Sequence, residues 1–296
     1  MRRHRVTVSL PGVISLDAAT VLLQWAAGGL FFLWVSTRHR EVGLGYGWLL
    51  RGVYLLLAVG GALAGFRFGV VPVREGAALA TAAAAFGVLV VSIVRRKAGV
   101  AGQTEEQYRR SARVAAMTGI EREAVTKEDG REFPPVLDLV APAVASIGLV
   151  AAAIDAGGNV LVSLLRTFAG ALFLGAVTDA MLLGHWYLTQ PGLPRRHLNE
   201  LVRWLGWVWP FEVVSLLLPT GMFSVLGGSV DDGWGGQLGW FWVVCAITTI
   251  VLVFVTRAAL KERYYSAVMA ATGLLYLAIL TAFGTDLVAR ALLAGT

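Results

Sequence analysis

Eight apolar stretches, each long enough to cross a lipid bilayer as a helix, constrain this 296-residue sequence more than any other feature. A bilayer core about 30 Å thick requires roughly 20 apolar residues in helical form, and the backbone in lipid must satisfy its own hydrogen bonds. Hydrophobic residues make up 57% of the chain and charged residues 15%, a composition that excludes an ordinary soluble domain. We therefore predict an all-α integral membrane protein with eight transmembrane helices. The predicted spans are 17–36, 47–66, 76–94, 136–154, 160–188, 201–226, 238–255 and 264–288.

Lysine and arginine residues concentrate in the odd-numbered connections between these spans. They include Arg38, Arg40, Arg95, Arg96, Lys97, Arg195, Arg196, Arg203, Arg257, Lys261 and Arg263. The sixth connection carries Asp231 and Asp232 and no base. Because basic loops stay on the cytoplasmic side, we predict a bacterial-type cytoplasmic (inner) membrane protein with both termini outside. Arg2, Arg3 and Arg5 favour the opposite orientation, but the basic residues of the odd-numbered loops outnumber them.

The net charge of +6 does not indicate a nucleic-acid-binding protein, since the basic residues lie next to membrane spans. One extended polar segment, 95–135, is predicted to be a solvated cytoplasmic element. Thr104 followed by Glu105 and Glu106 is typical of a capped helix start. Two interpretations are open: a surface element that fixes topology, or a docking surface for soluble or membrane partner subunits.

The two halves of the sequence resemble each other weakly. Span two begins near Arg51 and span six near Arg203, while span four ends at Asp155 and span eight reaches Asp286. Four spans per half predict two four-helix halves in the same orientation, 1–155 (including loop 95–135) and 156–296, as a parallel repeat. The alternative is that the resemblance reflects only the arginines that are common where spans begin.

Titratable residues inside predicted spans are costly and are therefore the first candidates for function. Asp179 lies in the cytoplasmic half of span five, where a helix-to-helix hydrogen bond or a pair with Arg51 are the structural alternatives. His185, Trp186 and Tyr187 fall near the headgroup level of the same span. A histidine there is either part of an interfacial aromatic belt or a proton-exchanging contact to a ligand.

Span six contains the other candidate, Glu212, between Pro210 and Pro219. Proline interrupts helical hydrogen bonding, so we predict a kink at Pro210 that exposes Glu212 to a polar cavity. A buried carboxyl group there is a candidate for carrying protons. The structural alternative is a protonated glutamic acid bonded to neighbouring backbone.

No catalytic motif, phosphate loop or metal-ligand spacing occurs in the sequence, and its single cysteine, Cys245, excludes a thiolate cluster. The favoured hypothesis is a membrane subunit of an electron-transfer or quinone-linked assembly, with no redox centre of its own. Arg51, His185, Trp186 and Tyr187 would bind a quinone headgroup near the cytoplasmic face, and Glu212, Asp179 and His185 would handle protons. The alternatives are a small proton-coupled transporter that uses Glu212 and Asp179, and a non-catalytic membrane scaffold.

Overall fold

The computed structural model describes residues 16–102, 105, 132–190, 192–262 and 264–293. Helices account for about four fifths of these residues, and the described part of the chain contains no strand. The helices are α1 (Ala18–Thr37), α2 (Leu44–Phe68), α3 (Pro72–Val94), α4 (Val140–Asp155), α5 (Val160–Trp186), α6 (Arg196–Leu217), α7 (Gly221–Leu226), α8 (Gln237–Ala259) and α9 (Tyr265–Leu293). A short 3₁₀ turn, Arg95–Ala98, follows α3, and another, Pro135–Leu139, leads into α4. The predicted partner-docking segment 95–135 falls mostly outside the described residues.

Within the described part of the chain, seven helical segments are long and apolar enough to cross a membrane. They are α1, α2, α3 with the turn after it, α4 with the turn before it, α5, α8 and α9. This result confirms the all-α class and indicates a membrane protein.

The sixth predicted span is not among these seven, and its predicted extent, 201–226, is wrong. Helix α6 begins earlier, at Arg196, and ends at Leu217; a non-helical segment containing Pro219 separates it from the short helix α7. Helix α6 carries Glu200, Arg203 and Glu212, which lower its mean hydropathy. The helix continues through Pro210, where we predicted a kink, and ends about two turns further along, at Leu217.

The helices pack in a recurring order. In the first half, α1 packs against α2 and α4, and α3 packs against the same two helices. In the second half, α5 packs against α6 and α9, and α8 packs against the same two. The two groups meet chiefly through α1 and α5, the first helix of each.

Glycines bring α1 and α5 into close contact. A Cβ added at Gly28 would overlap the backbone carbonyl of Ala171, and one added at Gly175 would overlap the backbone of Gly28. The ring of Tyr54 from α2 lies where a side chain at Gly29 would be. Small residues at such crossings let helix backbones approach closely in lipid.

The described residues of the connections α1–α2, α3–α4, α5–α6 and α8–α9 lie at one face, which we call the basic face. The amide of Gly102 donates to the carbonyl oxygen of Arg40 (2.9 Å), the amide of Gly43 to Gln190 Oε1 (2.9 Å), and Arg195 to the carbonyl oxygen of Tyr264 (2.8 Å). Its bases include Arg38, Arg40, Arg95, Arg96, Lys97, Arg195, Arg196 and Lys261. The opposite face carries Asp17, Asp155, Asp231 and Asp232.

Candidate functional site

Two carboxyl groups from different helices face each other inside the second helix group. Glu212 of α6 and Asp286 of α9 are both fully buried. Neither oxygen of Glu212, nor Oδ2 of Asp286, has a hydrogen-bond partner among the described residues. The two groups are close enough to interact electrostatically. Because two ionised carboxylates that are buried near each other repel, a proton on one of them lowers the cost of burying the pair.

Two arginines accompany the acid pair. Arg290 donates from Nε to Asp286 Oδ1 (2.6 Å) and from Nη2 to the carbonyl oxygen of Arg166 (2.8 Å). The Arg166 side chain donates to the carbonyl oxygens of Ser215 (2.9 Å) and Leu218 at the end of α6. Terminal carbonyls of a helix lack intrahelical donors, so Arg166 satisfies the helix end that Pro219 creates. The cluster thus holds two fixed positive charges and two acids.

A cavity of about 150 Å³ adjoins this cluster between the two helix groups. Its polar lining consists of Asp17, Thr20, Gln24, Ser163, Arg166, Thr167 and Arg290. Gln24 donates to the carbonyl oxygen of Thr167 (2.6 Å), and its own carbonyl oxygen has no partner among the described residues. At about 30 Å³ per molecule, the cavity has room for about five waters. Asp17 is exposed, so the cavity reaches the surface opposite the basic face.

Glu212 itself does not line this cavity. The two arginines that do line it also interact electrostatically with Glu212. They therefore connect the cavity to the acid pair, in contrast to the prediction that Glu212 would be exposed to the cavity directly.

Asp179 occupies a second buried site, nearer the basic face. Its Oδ1 accepts a hydrogen bond from the hydroxyl of Tyr54, and its backbone carbonyl accepts one from the hydroxyl of Tyr46 (3.3 Å). Oδ2 has no partner among the described residues. Gly170, whose added Cβ would meet Asp286 Oδ1 at 2.8 Å, is nine residues earlier on α5, which places the two sites about 14 Å apart along the helix.

Arg51 is paired with Asp138, not with Asp179. The guanidinium makes two hydrogen bonds to that carboxylate, of 2.7 and 2.8 Å, and lies over the ring of Phe133 at 4.6 Å. Only 2% of Arg51 is exposed. Its donors are therefore used within the protein.

The other predicted headgroup residues have separate partners. His185 is exposed, with Nδ1 at 3.3 Å from the hydroxyl of Tyr276 on α9. Trp186 donates from Nε1 to Gln190 Oε1 (3.1 Å). Tyr187 is buried and donates to the carbonyl oxygen of Pro194 (2.7 Å). The structure does not bring these three side chains and Arg51 to one binding surface.

Sequence reasoning selected Glu212 but did not assign a functional role to Asp286, Arg290, Gln24 or Arg166. One signal was available: Asp286 and Arg290 are four residues apart in an apolar span, a spacing that places an acid and a base on one helix face. We identify no feature of the sequence that predicts the packing of α6 beside α9.

No group of three or more histidine, cysteine, aspartate or glutamate side chains suited to a metal ion occurs among the described residues. Comparison with protein-family models, curated proteins and solved structures gave no match. The candidate site therefore rests on its own geometry.

Proposed function

We propose that this protein is a proton-coupled transporter of small anionic solutes. The observation that carries the proposal is the buried Glu212 and Asp286 pair, linked through Arg166 and Arg290 to a polar cavity between the helix groups. Two buried acids that interact with each other can take up and release protons. Two guanidinium groups in the cavity wall favour an anion.

The coupling follows from competition for the arginines. When both acids are ionised, they attract Arg166 and Arg290 and neutralise the charge offered to the cavity. When the pair takes up a proton, part of this positive charge becomes available to an anion. A proton and an anion then favour each other's binding, and this coupling is reciprocal. The proposed transport mode is therefore symport.

We extend the proposal to the membrane arrangement. Helix α6 serves as an eighth span because Glu212 is buried inside the protein, while Glu200 and Arg203 lie towards its basic-face end. The matching packing order of the two helix groups supports a parallel repeat. With the basic face in the cytoplasm, both termini and the 150 Å³ cavity face outside, in a bacterial-type cytoplasmic membrane.

Proton flux in proteoliposomes tests the proposal. A pH-sensitive dye inside the vesicles would report acidification when phosphate or a dicarboxylate such as succinate, whose charged forms do not cross the bilayer unaided, is added outside. We expect at least one anion to acidify the lumen with wild type, and Glu212→Gln to abolish this response, since an amide keeps the shape of the acid but does not exchange a proton. Glu262→Gln, at an exposed position outside the cluster, is the matched control. Equal fluxes for Glu212→Gln and wild type, or no flux with any anion, would contradict the proposal.

The quinone-linked hypothesis is a second candidate. One observation favours it: His185 is exposed on the outer surface of α5, with the hydroxyl of Tyr276 beside it. A headgroup arriving from the bilayer would meet both groups. His185→Ala should weaken binding of a quinone analogue to the purified protein about tenfold. If wild type binds no analogue, this hypothesis is excluded, and failure of both candidates would leave the scaffold.

A further inference from the structure

A large apolar groove opens on the outer surface between α5 and α6. Its volume is about 620 Å³, within the range of small-molecule sites. Phe168 and Leu172 of α5 line one side, and Trp204, Trp207 and Phe211 of α6 line the other. Trp207 and Phe211 are 66% and 60% exposed, so the groove is open along its length.

A second apolar groove lies beside the first. It has a volume of about 390 Å³ and runs between α1, α4 and α5. Phe168 and Leu172 line both grooves and form the ridge between them. Two adjoining grooves separated by one ridge match the two acyl chains of a single phospholipid, whereas a single-chain amphiphile would fill only one.

The end of the first groove that is nearer the basic face carries a positive charge. Arg203 lines this end, is exposed and has no ion-pair partner among the described residues. The neighbouring acid, Glu200, is bound to Arg38, which cancels its charge. From Arg203 to Phe211 the groove follows α6 for about 12 Å, which is less than one leaflet of a core about 30 Å thick.

We infer that these twin grooves bind one anionic phospholipid, with an acyl chain on each side of the Phe168 and Leu172 ridge and its phosphate at Arg203. Guanidinium groups suit phosphate because their planar fork donates two hydrogen bonds at once. The lipid would come from the leaflet at the basic face. This inference does not depend on the transport proposal.

Quenching by brominated lipids tests the inference. The protein would be reconstituted in phosphatidylcholine with increasing amounts of phosphatidylglycerol brominated on its acyl chains, and tryptophan fluorescence would be recorded. We expect wild type to bind phosphatidylglycerol in preference to equally brominated phosphatidylcholine, because Trp204 and Trp207 lie in the groove wall. Arg203→Gln should weaken this preference about fivefold, the effect of one arginine near an anionic lipid surface. Arg257→Gln, an exposed arginine on α8 outside both grooves, should keep it.

A second variant tests the contribution of the grooves independently of the charge of Arg203. Leu172→Phe enlarges the ridge and should reduce quenching by both brominated lipids while leaving Arg203 intact. Equal affinity of wild type for the two lipids would overturn the inference, as would equal effects of Arg203→Gln and Arg257→Gln. If Arg203→Gln fails to fold, the two-lipid comparison on wild type and Leu172→Phe decides the question.

Discussion

The guanidinium of Arg51 and the carboxylate of Asp138 form a buried bidentate ion pair, although 87 residues separate them in the sequence. The pair joins α2 to the turn that precedes α4. Ser92 of α3 accepts a further hydrogen bond from Arg51 at 3.3 Å. Three segments of the first helix group therefore meet at one arginine.

Removing the acid of this pair should destabilise the protein strongly. Asp138→Asn leaves the Arg51 charge buried and uncompensated, which costs about 3–5 kcal/mol. The measurement is unfolding by denaturing detergent in mixed micelles. Asp155→Asn, at the exposed opposite end of α4, should change stability by less than about 0.5 kcal/mol. If the two variants unfold at the same detergent fraction, the ion pair has no structural role.

The contact between α1 and α5 should tolerate no added side chain at Gly28. Gly28→Ala places a methyl group against the Ala171 carbonyl, and such overpacking costs about 1–3 kcal/mol. Gly52→Ala is the matched control, since a Cβ there has open space around it. Thermal unfolding of the purified variants measures the difference. A Gly28→Ala protein as stable as Gly52→Ala would contradict the close approach of the two helices.

The loop before α8 should loosen in acid. Asp232 accepts hydrogen bonds from the amides of Gly236 (2.8 Å), Trp234 (2.9 Å) and Leu238 (2.8 Å). These donors, that of Gly236 first, lower the pKa of Asp232 below its ordinary value. The stabilisation is thus complete above the unfolded-state pKa of about 3.9 and is lost as the pH falls through the lower folded-state pKa.

Hydrogen-exchange protection factors of the Gly236 and Leu238 amides check this pH dependence. Protection should be constant from pH 7 to 5 and fall below about pH 4. Asp232→Asn should show reduced protection already at pH 7. Asp231→Asn serves as the control, because Asp231 accepts a single hydrogen bond among the described residues, from the amide of Gly233 (2.9 Å). Identical exchange in Asp232→Asn and wild type would refute the role of the carboxylate.

The orientation can be measured with impermeant maleimides. In a Cys245→Ala background, cysteines at the exposed positions Lys261 and Ser229 report on the basic and the opposite face. If the basic face is cytoplasmic, Ser229→Cys should react in intact cells and Lys261→Cys only after permeabilisation. The reverse pattern would show that the protein is inverted.

The sequence determined the class of this protein and the position of most helices. An apolar segment in lipid forms a helix, since a helix satisfies its backbone hydrogen bonds internally. Predicted spans such as 17–36 and 160–188 therefore closely match α1 and α5. The predicted extent of span six was wrong because the helix ends at Leu217, before Pro219, instead of continuing to residue 226. Proline disfavours the helical conformation of the residue before it, but the sequence did not show that Pro219 ends the helix while Pro210 lies within it.

The sequence also marked Asp179 and Glu212, since a charge in an apolar span stands out without knowledge of its neighbours. It did not decide their partners. Arg51 binds Asp138, Asp179 binds Tyr54, and Glu212 meets Asp286. Which helices are neighbours depends on close packing across the whole bundle, as at Gly28 and Gly175, and partners tens of residues apart leave no periodic trace in one chain. Only the tertiary structure could therefore turn isolated charges into a site.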